Sequence, residues 1–218
     1  MWHQKFDDFI RGLGFTRIKV DNYVYFKLIG DHVIYLVLYV DDMLLVANDK
    51  EIIQDWKTQL SSRFNMKDLG TANYILGMDT KRDQEKRKLW LNQRKYVETI
   101  LQRFNMQDSK PMKVPIPVGV RLSAEQCPKK QEEEEDMSRV PYASAVGSLM
   151  YAMVYTRPNI AHAVGVLSKF MSKSGKEHWT TVKWVFRYLH GTSDYGLCYQ
   201  GRSGLDRMLD ICGFVDAD

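Results

Sequence analysis

Residues 33–49 read VIYLVLYVDDMLLVAND. Two apolar runs, Val33–Val40 and Met43–Ala47, are rich in β-branched and large side chains, the composition of strands, and only Asp41 and Asp42 separate them. The stretch is a β-hairpin with acids at its turn. Two-residue hairpin loops favour Asn-Gly or Asp-Gly, because their central positions often need positive φ, so Asp-Asp is a poor turn. Two adjacent carboxylates against Val40, Met43, Leu44 and Leu45 also repel each other. A divalent cation relieves that repulsion, and Mg²⁺ accepts carboxylate oxygens while completing its shell with water and phosphate oxygens. Taken alone, these residues leave two readings open: solvated turn acids, or a metal-binding pair.

Working outward, YVYFKL (23–28) reads as a strand joined to the hairpin by an Ile-Gly-Asp turn, giving three consecutive antiparallel strands. Upstream, Trp2, Phe6, Phe9 and Ile10 fall at helical spacing, with Gly12 and Gly14 as stops. Downstream, Asn48 or Asp49 caps a helix carrying Ile52, Ile53, Trp56, Leu60 and Phe64 on one stripe and ending at Gly70. Residues 74–93 form a second hairpin with a charged tip. Residues 92–106 form a helix capped by Asn92, with Tyr96, Val97, Ile100, Leu101 and Phe104 inward. An α+β layer therefore spans residues 1–108. Proline, charge and weak periodicity mark 109–140 as a linker, in which the acids Glu132–Asp136 are solvated.

Three helical patterns fill 141–192. Pro158 fits the first turn of the second helix and Gly191 the position just past the third. Small residues Ala143, Ala145, Gly147 and Ser148 allow the first helix a close approach to its neighbours. GLCYQ (196–200) and DICGFVD (210–216) read as two strands of a further region, 193–218.

Composition narrows the function classes. The 218 residues carry +4 net charge, which permits an anionic partner without demanding one, and 44% hydrophobic residues are enough for a packed core. Cys127, Cys198 and Cys212 form no CxxC pair, favouring a reduced, intracellular compartment. No apolar run approaches the roughly 20 residues of a membrane span. The five histidines show no HExxH spacing, no GxxxxGK[ST] or GxGxxG loop occurs, and Ser144 and Ser148 lie outside any GxSxG elbow. Five basic residues of TKRDQEKRK (80–88), with Lys169, Lys173, Lys176, Lys183 and Arg187, could follow a phosphate backbone or simply solvate the surface.

YVDD between apolar strands, together with FDDFIRGLGF, MKDLG, YILGM, LNQRKYV, PYASAVGSLMYA, TRPNIAHAVG and HWTTVKWVFRYLHGT in that order, resembles the Pol polyprotein of Ty1/copia-type retrotransposons over essentially the whole chain. The resemblance implies an RNA-directed DNA polymerase followed by ribonuclease H. The implied fold is a partial reverse-transcriptase palm, an antiparallel sheet with covering helices (1–108). A linker (109–140), a helical thumb or connection-like region (141–192) and the first strands of ribonuclease H (193–218) follow. By this resemblance Asp41 is a metal ligand and Asp42 its partner nearer the primer end. Leu76, Gly77 and Met78 sit at the primer grip, and Asp216 is the first metal-binding acid of ribonuclease H; Asp218 has no assigned role. Two Mg²⁺ ions, an RNA/DNA primer–template, deoxynucleoside triphosphates and the remainder of the polyprotein are the implied partners, within a cytoplasmic particle.

Two-metal phosphoryl transfer needs acids from more than one segment, and in the family one comes from an earlier palm strand. Met1 reads as an internal methionine, with that strand upstream and the remaining ribonuclease H acids downstream. The Asp41–Asp42 hairpin is therefore expected to expose an unpaired apolar edge, and the isolated chain to have little polymerase activity. The rival expectation is a fragment that binds nucleic acid without catalysis, or a relic of a degenerate element.

Overall fold

The computed structural model describes residues 2–201 and divides the chain into two units, Met1–Ala72 and Asn73–Asp218. The second strand of the 193–218 region and Asp216 lie outside the described residues.

In the first unit, α1 (Trp2–Gly12) precedes β1 (Thr16–Arg17), β2 (Val24–Ile29), β3 (His32–Tyr39) and β4 (Asp42–Ala47), and α2 (Lys50–Arg63) follows. The strands form one antiparallel sheet in the order β1-β2-β3-β4. Alternation along β3 buries Ile34, Leu36 and Leu38, which join Tyr25 of β2, Phe6 and Ile10 of α1, and Trp56 and Leu60 of α2 in one core. Both helices thus contribute to the core formed on one face of the sheet. The opposite face is also apolar, since Val24 pairs with Val37, Phe26 with Tyr35, Tyr35 with Val46 and Val37 with Leu44. β4 is an edge strand among the described residues, as expected.

Two local details depart from the sequence reading, and the structure decides one choice it left open. β1 is two exposed residues, too short to show a period. Asp49, not Asn48, caps α2, its carboxylate accepting from the Glu51 N–H at 2.8 Å. α2 stops at Arg63 rather than continuing to Gly70, because Phe64 turns to extended backbone and packs its ring 5.4 Å from Phe6 and 5.2 Å from Phe9. Gly70 instead closes a tight turn at φ +76°, its N–H donating to Asp68 Oδ1.

The second unit holds β5 (Tyr74–Ile75), β6 (Met78–Asp83), β7 (Lys88–Asn92) and α3 (Arg94–Arg103). α4 (Gln131–Ser138), α5 (Tyr142–Tyr155), α6 (Ala161–Ser168), α7 (Lys176–Gly191) and β8 (Gly196–Gln200) complete it. Its antiparallel sheet runs β5-β6-β7-β8. The apolar stripe of α3, Val97, Ile100, Leu101 and Phe104, belongs to the same core as Leu149 of α5, Leu167 of α6 and Phe186 of α7. The α+β layer expected across residues 1–108 is therefore divided after Ala72, because the burial of α3 lies with the later helices.

The stretch expected as a linker is held down. Met112 N donates to Arg187 O at 3.1 Å and Arg187 Nε to Lys110 O at 2.6 Å. The acidic run is helical within α4, where Glu134 pairs with Lys173 at 2.7 Å and Asp136 with Lys176 at 3.0 Å. Gly191 ends α7 rather than following it; a Cβ there would meet Pro111 Cβ at 3.0 Å. Asn92 does not cap α3, whose cap position is Gln93; it accepts from Arg94 N and donates to Asp194 O and Tyr195 O, tying β7 to the entry of β8. β8, read from sequence as the start of a separate region, lies beside β7. Of the small residues on α5, Ala145 and Ser148 are buried, whereas Ala143 and Gly147 face outward.

Candidate active site

The hairpin of residues 33–49 is built one residue out of step with its sequence reading. Tyr39 pairs with Asp42, so Asp42 opens β4 and the two-residue loop is Val40–Asp41. Val40 takes φ +52°, and Asp41 does not share that left-handed conformation. One positive φ at the first central position is the sign pattern of a type II′ turn, where glycine is the usual occupant. A β-branched residue there is a genuine outlier, of the kind found where surrounding structure and function impose the backbone. The sequence reading placed the unfavourable turn chemistry on Asp-Asp; the available signal for Val40 was the count of residues left once Tyr39 and Asp42 pair.

Asp41 and Asp42 are both exposed at the tip, beside exposed Tyr39 and Val40. Water therefore screens the two like charges, and the low-dielectric background expected from the neighbouring apolar residues does not enclose them. Among the described residues, neither carboxylate is engaged in an ion pair or side-chain hydrogen bond. The donors suit Mg²⁺, being hard carboxylate oxygens open to solvent, which lets an ion keep its waters. They supply part of a ligand set: among the described residues, no group of three or more His, Cys, Asp or Glu side chains could hold a metal.

Leu76, Gly77 and Met78 lie in the second unit. Ile75 pairs with Met78, so Leu76–Gly77 is the β5–β6 turn, and Met78 begins β6. Beyond it, the β6–β7 hairpin carries Lys81 and Arg82 exposed near its tip, with Lys88 Nζ 6.0 Å from the Trp90 ring centroid. Asp216 has no described position.

The family pattern of reverse transcriptase (RNA-dependent DNA polymerase) matches residues 1–118. The chain is 50% identical over 218 residues to the Retrovirus-related Pol polyprotein from transposon TNT 1-94 of Nicotiana tabacum, covering 100% of this chain and 16% of the relative. It is 33% identical over 217 residues to the Retrovirus-related Pol polyprotein from transposon RE2 of Arabidopsis thaliana, covering 100% of this chain and 14% of the relative. An uncharacterized mitochondrial protein of Arabidopsis thaliana is 36% identical over 184 residues, 84% of this chain and 71% of the relative. No solved structure matches. Spanning about one-sixth of the tobacco polyprotein's length, the chain belongs to the reverse transcriptase family in its Ty1/copia-type retrotransposon Pol form.

Proposed function

We propose that the chain is the palm-end segment of an RNA-directed DNA polymerase, in which Asp41 and Asp42 bind the ions of two-metal nucleotidyl transfer. The observation that carries this reading is the hairpin tip: a strained Val40 holds two adjacent, exposed and unengaged carboxylates at the end of an apolar strand pair. In the reaction, the primer 3′ hydroxyl attacks the α-phosphate of the incoming nucleotide and pyrophosphate leaves. When bound, Mg²⁺ neutralises the developing phosphate charge and favours the hydroxyl's deprotonated form. Asp41 and Asp42 supply carboxylate oxygens for the two ions, Asp41 from the turn and Asp42 from the first ladder pair, with Tyr39. Leu76, Gly77 and Met78 serve as the primer grip, and Asp216 begins a ribonuclease H site.

The isolated chain has little polymerase activity on this reading, because two-metal transfer needs acids from more than one segment and, among the described residues, Asp41 and Asp42 have no third metal-ligating side chain beside them. The test is templated extension on an RNA template by the isolated chain and by a longer Pol segment carrying the preceding sequence. Extension by the longer segment, abolished by Asp41→Asn, supports the reading; extension unaffected by Asp41→Asn sinks it. Extension by the isolated chain that Asp41→Asn removes overturns the inactivity. The β6–β7 tip, with Lys81, Arg82 and the Lys88–Trp90 pair, favours a second reading: nucleic-acid binding without catalysis. Salt-sensitive binding of an RNA–DNA hybrid, with no extension by either protein, selects it.

A further inference from the structure

The β5–β6 turn of the second unit closes a short hairpin. β5 is two residues long, pairing Tyr74 with Asp79 and Ile75 with Met78, and just before it Thr80 N donates to Asn73 O at 2.8 Å. Both turn residues are left-handed, Leu76 at φ +53° and Gly77 at φ +72°, the pattern of a type I′ turn that favours Asn-Gly. Glycine accepts this freely at Gly77. Leucine does not, because its Cβ crowds the following carbonyl. A strained backbone of this kind persists where its surroundings over-determine it.

The additional hold comes from α5. Tyr151 Oη donates to the Leu76 carbonyl at 2.6 Å, across 75 residues of sequence, and lies 3.6 Å from where a Cβ on Gly77 would sit. The Tyr151 ring is itself fixed between two others, with centroids 4.8 Å from Tyr96 and 4.6 Å from Tyr155. Tyr96 Oη in turn donates to Ser148 O of α5 at 3.0 Å, so the ladder joins α3 to α5 as well as holding the turn. Rigid aromatic side chains lose little freedom in such an arrangement.

We infer that Tyr151 is a positioning residue for the Leu76–Gly77 turn, holding Leu76 in its left-handed conformation so that the turn meets a primer–template strand in one shape. The use of the turn rests on the primer-grip reading above; the hold itself does not.

Tyr151→Phe deletes one hydroxyl and keeps the ladder. In the full chain, hydrogen exchange across residues 74–79 is expected to accelerate about three- to tenfold, while exchange in α5 stays unchanged. Tyr155→Phe, which touches the ladder but not the Leu76 carbonyl, leaves the turn's exchange unaltered. Leu76→Asn, which tolerates the left-handed region, restores slow exchange in the Tyr151→Phe background. A short RNA–DNA hybrid binds Tyr151→Phe about three- to tenfold more weakly, and Leu76→Asn recovers part of that loss. Unchanged exchange in Tyr151→Phe overturns the hold, whatever happens to binding. Faster exchange with unchanged hybrid binding overturns the primer part and leaves the hold standing. A wild-type chain that binds no hybrid refutes the primer-grip reading, and exchange alone then decides the hold. Should Tyr151→Phe fail to fold, Leu76→Asn in the wild-type chain must slow exchange of the same segment by releasing strain; failure to do so overturns the inference.

Discussion

Replacing Arg157 by lysine should lower the thermal midpoint of the second unit by about 5–15 °C. Arg157 is 1% exposed, and its hydrogen-bond acceptors are neutral: the Thr192 carbonyl at 2.9 Å from one terminal nitrogen, Thr192 Oγ1 at the other, and Asn159 Oδ1 at 3.3 Å from Nε. It also lies 5.7 Å from the ring centroids of Tyr188 and Tyr195. Burial pushes its pKa down, partly countered by Tyr188. Two effects oppose each other: desolvating a cation is costly, and each charged-to-neutral hydrogen bond contributes about 1.5–3 kcal/mol. Lysine keeps the charge and the desolvation cost but loses the fork that reaches both Thr192 oxygens. One bond lost and one buried acceptor left short give a net cost of about 2–4 kcal/mol. For a unit of this size each kcal/mol moves the midpoint by about 2–4 °C. Arg157→Met removes the charge and its desolvation together while roughly preserving volume, so it should be no worse than lysine. Calorimetry reads both variants. A lysine midpoint within about 2 °C of wild type, or a methionine variant clearly below lysine, refutes the argument that the fork outweighs the buried charge.

Val40→Gly should leave the first unit as stable or raise its stability by up to about 1.5 kcal/mol, because release of about 1–2 kcal/mol of left-handed strain is offset by about 0.5–1 kcal/mol of added chain entropy; urea midpoints of the β3–β4 segment by hydrogen exchange decide it. Acid should weaken the second unit through His178, fully buried and stacked on Phe170 at 3.9 Å between centroids, whose Nδ1 accepts the Gly175 N–H at 2.8 Å. Desolvation lowers its pKa below the ordinary 6.5, so the unfolded chain binds the proton first. Stability is then complete above about pH 6.5 and is lost as pH falls through the folded value. His178→Gln should flatten that slope in midpoint against pH; an unchanged slope removes His178 as its source.

Legibility followed the range of the contacts. α1, the three long strands of the first unit and the inward stripe of α3 were readable because periodicity and burial are local to each segment. The motif TRPN was legible as a pattern but not as a device. Thr156 Oγ1 donates to Gln93 Oε1, Arg157 grips Thr192, and Asn159 Nδ2 donates to Tyr188 Oη, partners 29 to 63 residues away. The acids Glu132–Asp136 are exposed, as read, but their helix and its ties to Lys173 and Lys176 were not legible, because those partners lie about 40 residues further along the chain. Asp41 and Asp42 were legible as a pair, while their turn was misplaced by one residue, since pairing of Tyr39 with Asp42 transfers the left-handed backbone to Val40.

By itself the sequence determined the hairpin and its two acids, because an apolar run broken by Asp-Asp is written in consecutive residues, and the ordered motifs along the chain carried the resemblance to the family. Tertiary structure alone decided that α3 belongs with the later helices, that β8 completes the β5–β7 sheet, and that Tyr151 reaches the Leu76 carbonyl. Each of those depends on hydrogen bonds or burial between residues far apart in the chain, and no local period encodes which distant group will satisfy a given carbonyl or cover a given apolar stripe.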